Sequence, residues 1–324
     1  EDIMSFTIKY NGIEKVFEKR VQLIDLLEKG DKSVICARVN NRLKELTYTV
    51  DSDSTVEFLT LADGDAAKIY ESSVRYVLVM AIKRLYPDVK VRLTRNVSRS
   101  TFVQFLSKDV KCTSAMRDAI EAEMKKIIAA DYPFIRHSYD KKEAVSLYEK
   151  NGLEDKLEAL QYRPEKTVHL YECDGYYNYL FSRMVPSTGY LNSFKLNLYI
   201  PGMILQTPRS ECKGEIPEFV DAPTYGKTLK QAHVWAKEVS ADTGLKINKH
   251  IEDGVIDFIQ LCEARHNRML AELGEIIQKN EDVKIICVAG PSSSGKTTFA
   301  NRLRIELMAR GLKPVRISID DYYL

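Results

Sequence analysis

Residues 285–298 read IICVAGPSSSGKTT, an apolar stretch running into Gly290-x4-Gly295-Lys296-Thr297, and no other segment limits the architecture of this chain so sharply. The pattern is that of a phosphate-binding loop. Gly290, Pro291, Ser292, Ser293, Ser294 and Gly295 form a tight turn whose amide N–H groups point inward. Lys296 reaches terminal phosphates, and the Thr297 hydroxyl is placed to hold Mg²⁺. Thr298 reads as a helix-start hydroxyl near the α-phosphate. The flanks agree: Ile285, Ile286, Cys287 and Val288 suit a buried parallel strand, and Lys296 opens a helix with Phe299, Leu303 and Leu307 at spacing four. Gly311 and Pro314 end that helix. A complete doubly wound domain takes on the order of 150 to 200 residues. The segment from 283 to 324 holds one strand-helix-strand unit, so the chain reads as a fragment whose remaining sheet and lid lie beyond Leu324.

Composition bounds the rest. With 324 residues, 44% hydrophobic and 29% charged, the chain can bury several cores. No run approaches a membrane span, and the polar start EDIMSFTIKY lacks a signal-peptide core, so a cytoplasmic location is expected. Six cysteines at 36, 112, 173, 212, 262 and 287 form no C-x-x-C pair, which argues for reduced thiols. The five histidines at 137, 169, 233, 250 and 266 share no ligand spacing. A net charge of +2 gives the whole chain no nucleic-acid signature. RNA contact would need a local patch, and Lys90, Arg92, Arg95 and Arg99 are the candidates.

Four segments are expected. Residues 1–66 alternate short strands with one helix near Val21 to Lys29, and Asn11-Gly12 marks a hairpin. Residues 67–224 mix longer helices with strands, beginning with the helix IYESSVRYVLVMAIKRLYP and a strand at 88–94. The sheet-rich run TVHLYECDGYYNYLFSRMVPSTGYLNSFKLNLY follows. Residues 225–282 form a helical connector with apolar positions Val255, Phe258, Ile259, Cys262, Leu270, Leu273 and Ile277, and with Trp235 as a packing anchor. Residues 283–324 begin a loop-containing α/β domain. The fold class is multidomain α+β, a β-grasp module and a second α+β domain, followed by the first β-α-β unit of an α/β domain.

Resemblances sharpen this reading. ARVNNRLKELTYTVDSDSTVEFLT resembles the TGS domain at the N-terminus of threonyl-tRNA synthetases. RHSYDKKEAVSLYEKNG together with VPSTG resembles their editing domain, the second additional domain. That family's editing pocket carries a His-x3-His pair and a Cys-x3-His pair. Here the corresponding positions are Ser72 and Tyr76, then Leu180 and Met184, which implies a fold retained without its editing chemistry.

GPSSSGKTTFANRLRIELMARGLKPVRISIDDYYL resembles the start of a uridine kinase-like protein of the phosphoribulokinase and uridine kinase family, in which synthetase-type modules precede the kinase. The resemblance implies ATP and Mg²⁺ as cofactors and a nucleoside as substrate, with Lys296 on the phosphates. Asp320 would be the carboxylate beside the acceptor hydroxyl, and Tyr322 and Tyr323 would lie near it. The expected activity is ATP-dependent phosphorylation of a uridine or cytidine 5′-hydroxyl, or of another sugar hydroxyl, with residues 1–324 inactive alone. The alternative is an RNA- or amino-acid-sensing regulatory module with synthetase-like domains and a nucleotide-binding loop.

Overall fold

Asn11 and Gly12 both adopt positive φ, 49° and 74°, the backbone of a two-residue turn whose twist suits the strands it joins. They close the hairpin of β1 (Phe6–Tyr10) and β2 (Ile13–Phe17). The computed structural model describes residues 5–107, 110–179 and 182–322, apart from the side chains of Arg95, Glu154 and Asp155. The chain continues through β3 (Val21–Gln22), β4 (Val34–Val39), β5 (Arg42–Lys44), β6 (Thr49–Val50) and β7 (Ser54–Thr60). A mixed sheet results, ordered β2-β1-β7-β4-β5, with β7 parallel to β1.

The helix expected at 21–29 is not formed. After β3 the chain makes a single 3-10 turn, Leu23–Leu26. Leu23 N–H donates to the Tyr48 carbonyl at 3.1 Å and Ile24 N–H to that of Leu46 at 2.9 Å. These amides are taken by a neighbouring stretch of chain, and Leu23 is fully buried there. Tertiary packing overrides a pattern that is helical only locally.

Next come α1 (Gly64–Leu85), β8 (Val91–Val97), β9 (Ser100–Phe105), α2 (Ser114–Ala129), β10 (Ile135–Asp140), α3 (Lys141–Lys150), α4 (Glu154–Leu160), β11 (Thr167–Cys173), β12 (Tyr176–Asn178), β13 (Lys195–Tyr199) and β14 (Gly202–Gln206). Two antiparallel sheets form, β13-β14-β9-β8 and β10-β11-β12. Local chemistry sets the helix starts. The Thr113 hydroxyl accepts the Met116 N–H ahead of α2, and Asp140 with Glu143 makes a reciprocal capping box at α3. Gly202 lets β14 approach β9 so closely that a Cβ there would collide with the Val103 carbonyl.

One apolar interior holds these elements together. It takes Ile8, Ile35 and Leu46 from the first sheet region, Val77 and Met80 from α1, Ile120 and Met124 from α2, and Val103 and Leu205 from β9 and β14. Burying each large aliphatic side chain contributes about 1.5–3 kcal/mol. A smaller cluster of Ala144, Tyr148, Leu160, Val168 and Leu170 seals α3 and α4 against the far face of the β10-β11-β12 sheet.

The chain divides into two compact units, residues 1–231 and 232–324. Helix α5 (Pro223–Glu238) begins in the first and ends in the second, followed by α6 (Gly244–Lys279), broken at Gly254, and α7 (Lys296–Ala309). Within the second unit Leu270, Leu303 and Leu307 are buried together, with Leu273, Ile277 and Phe299 against them. Val255 and Ile259, earlier on the same stripe, stay exposed. The Arg265 guanidinium lies 4.6 Å from the Trp235 ring. The helix after the Gly290–Gly295 loop forms, but the strands expected on either side do not. Residues 283–290 and 312–318 pair with no strand among the described residues, and Ile285 and Val315 are 82% and 84% exposed. A parallel strand needs neighbours that take its amides and cover both faces, and these segments have neither. Among the described residues no helix is long and apolar enough to cross a membrane.

Candidate functional site

Helix α1 carries the first pair of positions that the editing-domain resemblance singles out. Ser72 bonds back to the Lys68 carbonyl of its own helix at 2.9 Å. Tyr76, one turn on, is 1% exposed. Its hydroxyl lies 2.9 Å from the Tyr171 carbonyl and 2.6 Å from that of Tyr176. Its ring stands edge-on to Phe134 and Tyr176. Burial raises the Tyr76 pKa far above that of an ordinary phenol, and nearby Tyr176 adds to the rise. This group is a neutral hydrogen-bond donor fixed in a packed interior, and it has no means of accepting a proton at neutral pH.

Met184 fills the matching position on the other side and is also 1% exposed. Its sulfur lies 3.7 Å from the Ser73 hydroxyl, which accepts the Val185 N–H at 3.1 Å. The backbone N–H of Met184 donates to the Glu45 carboxylate at 2.9 Å. The Tyr171 hydroxyl donates to the same oxygen, and its own pKa is pushed up by burial and by that carboxylate. Leu180 lies outside the described residues. Tyr76 and Met184 thus supply no base, and the Ser72 hydroxyl has no base bonded to it among the described residues.

The VPSTG segment that leads out of this region is pinned to the end of α2. Phe134 N–H donates to the Pro186 carbonyl at 3.0 Å, Thr188 N–H to that of Tyr132 at 2.8 Å, and the Thr188 hydroxyl to that of Ile127 at 2.8 Å. Asp131 completes the corner. One oxygen accepts Gly189 N–H at 2.9 Å and the Ser187 hydroxyl, and the other pairs with Lys32 at 2.7 Å. Sequence reasoning found VPSTG but missed Glu45, Lys32 and Asp131, which lie far apart in the chain and carry no motif.

The loop at Gly290–Thr298 lies in the second unit. Gly295 adopts φ 81° and Ser293 φ 59°. A Cβ on Gly290 would stand 2.8 Å from the Ser294 hydroxyl. Lys296 folds back so that its ammonium lies 2.8 Å from the Gly290 carbonyl and 2.7 Å from that of Pro291. Pro291, Ser292, Ser293, Ser294, Thr297 and Thr298 are exposed. The residues fit a nucleotide phosphate. The left-handed turn at Gly295 opens directly onto the first turn of α7, where free amides favour an anion. Asp320 sits in an exposed 3-10 turn, Ile319–Tyr322, and no hydrogen bond joins it to the loop among the described residues. Tyr322 is 74% exposed, and Tyr323 lies outside the described residues.

The basic patch at 90–99 is less open than its sequence implies. Lys90 and Arg92 are both engaged by neighbours, and Arg99 lies 4.0 Å from Glu211. Nothing is described of the Arg95 side chain. Among the described residues no group of three or more His, Cys, Asp or Glu side chains is placed to hold a metal ion. All six cysteines are free thiols, and burial pushes those of Cys36 and Cys173 up to about 12.

Comparison with known proteins gives these positions a context. The chain is 32% identical over 168 residues to a threonine–tRNA ligase of Desulforamulus reducens, covering 51% of this chain and 26% of that protein. It is 30% identical over 200 residues to a threonine–tRNA ligase of Anoxybacillus flavithermus, covering 60% and 31%. With a threonine–tRNA ligase of Symbiobacterium thermophilum it shares 29% identity over 167 residues, 51% and 25%. The chain thus spans between 25% and 31% of the length of these relatives. No family model matches it. The similarity covers about half the chain and agrees with the TGS-like and editing-like α+β architecture. It overturns the expectation of a nucleoside kinase, because the relatives point to a role related to aminoacyl-tRNA synthetases. The assignment of Asp320 beside an acceptor hydroxyl was made within that reading.

Proposed function

We propose that this chain is an RNA-sensing module related to threonyl-tRNA synthetases, in which the editing-like fold serves recognition without hydrolysis and the loop at Gly290–Thr298 binds a nucleotide. The observation that carries the reading is the pair Tyr76 and Met184, each 1% exposed at a position where editing chemistry would need an imidazole. The same pair argues for RNA over a free amino acid, since packed side chains occupy the space an amino acid would enter. The tRNA in the relatives' names makes tRNA the first RNA to try. In the loop, Lys296 and the amides around Ser292 to Gly295 would hold the phosphates of ATP, and the Thr297 hydroxyl would hold Mg²⁺. Bound there, Mg²⁺ would supply charge that neutralises the phosphates, beside that of Lys296.

The test is tRNA binding measured beside hydrolysis of misacylated threonine tRNA. Saturable binding with no deacylation above background is expected. Turnover dependent on Ser72 or Tyr76, or no affinity for tRNA, sinks the reading.

A further inference from the structure

Helix α5 carries three lysines, Lys227, Lys230 and Lys237, and its sole carboxylate is its last residue, Glu238. At about 100° per residue the lysines fall within about 80° of one another around the helix, and they span about 15 Å along it. All three are exposed, as is Val234 between them. Leu229, Trp235 and Ala236, on the opposite side, are half-buried.

The row has no counter-charge in its own helix. Residues three and four positions apart on a helix are neighbours, and cations on other helices of this chain are paired in that way: Lys125 with Glu121, Lys246 with Asp242, Arg268 with Glu272 and Lys279 with Glu275. The positions three and four residues from Lys227, Lys230 and Lys237 hold no Asp or Glu. Lys227 and Lys230 are themselves neighbours, and like charges at that spacing work against the helix. None of the three lysines has a hydrogen-bond or ion-pair partner among the described residues.

We propose that Lys227, Lys230 and Lys237 form a strip that binds the phosphate backbone of base-paired RNA. The strip rests on the RNA-sensing reading and gives it a surface. Exposed cations in a row release counterions from a polyanion laid along them. No aromatic side chain stands in the row, so it lacks the stacking platform that holds unpaired bases, and a straight line of charge suits the stiff backbone of a duplex. An anionic membrane fits less well. A helix lying in a bilayer surface needs a broad apolar face to enter it, but Val234 is the one exposed large apolar side chain between the lysines, and Trp235 lies against Arg265.

The experiment uses residues 1–324 and a fluorescein-labelled RNA hairpin, with anisotropy followed across a range of salt. Wild-type protein binds, and the affinity falls as salt rises. The triple variant Lys227→Ala/Lys230→Ala/Lys237→Ala binds about tenfold more weakly, and its plot of log affinity against log salt is shallower by about 2.7, three contacts at about 0.9 each as for duplex DNA. Replacing the same three by Arg keeps the wild-type slope. If the Ala variant does not fold, as read from its melting curve, Lys230→Gln alone lowers the slope by about 0.9. Wild-type slope and affinity in the Ala and Gln variants would remove the strip and leave the RNA reading standing. Absence of binding to both the hairpin and tRNA removes both. Binding to phosphatidylserine vesicles that depends on these lysines, without RNA binding, overturns the proposal in favour of a membrane surface.

Discussion

The ring of Tyr76 stands edge-on to that of Phe134, with centroids 5.4 Å apart and planes at 89°, and its hydroxyl reaches two backbone carbonyls of the neighbouring sheet. A position that would hold an imidazole in an editing pocket is here a structural bracket between α1 and the β11-β12 hairpin. Tyr76→Phe keeps the ring packing and removes the donor to buried carbonyls, so it should cost about 1–3 kcal/mol. A urea melt followed by circular dichroism reads this loss. A midpoint equal to wild type would show that the hydroxyl is not needed.

Among the described residues Lys296 is held only by exposed loop carbonyls, so removing it should leave the fold intact. Lys296→Ala is expected to weaken binding of a fluorescent ATP analogue by about tenfold or more, about 1.4 kcal/mol at the least, with an unchanged melting curve. Equal affinity in the variant would mean that the loop does not hold phosphate through this lysine.

The corner at Asp131 should make the first unit sensitive to acid. Partial burial works to raise the Asp131 pKa, but hydrogen bonds from Lys32, Ser187 and Gly189 outweigh it and hold the carboxyl below its ordinary 3.8. A carboxyl depressed in the folded state stabilises above its unfolded pKa, and that stability drains away as pH falls through the lower folded value. Asp131→Asn should therefore be less stable at neutral pH and flatter in its acid limb. Thermal melts from neutral pH downward distinguish this from parallel curves, which would remove Asp131 as the cause.

Gly202 is a packing requirement. A Cβ there would collide with the Val103 carbonyl and come within 2.9 Å of the Phe102 ring. Backbone cannot yield as a flexible side chain can, and Gly202→Ala should cost about 1–3 kcal/mol. Faster amide exchange along β9 and β14 is the expected readout, and unchanged protection there would count against it.

What could be read from residue order was whatever rests on near neighbours. The Asn11-Gly12 turn, the apolar face of α1 and the helix after Gly295 all follow from spacing within a few positions. The segment at 21–29 misled because Leu23 and Ile24 give their amides to carbonyls some twenty residues on, a pairing no local period encodes. The strands around the Gly290–Gly295 loop failed to form because their apolar character describes the cover they need and cannot supply it. At the editing-like position the replaced side chains were visible as letters, but Glu45, which joins Tyr171 to Met184, was not.

The shared apolar interior has a consequence for inheritance. Ile35 and Leu46 are as deeply enclosed as Val77 and Met124 in one cluster, so a cut between the TGS-like and editing-like segments would leave a wet, adhesive wound on both. A gene fusion that carried either piece alone into a new protein would deliver an unstable guest. The portable unit is the pair of synthetase-like segments.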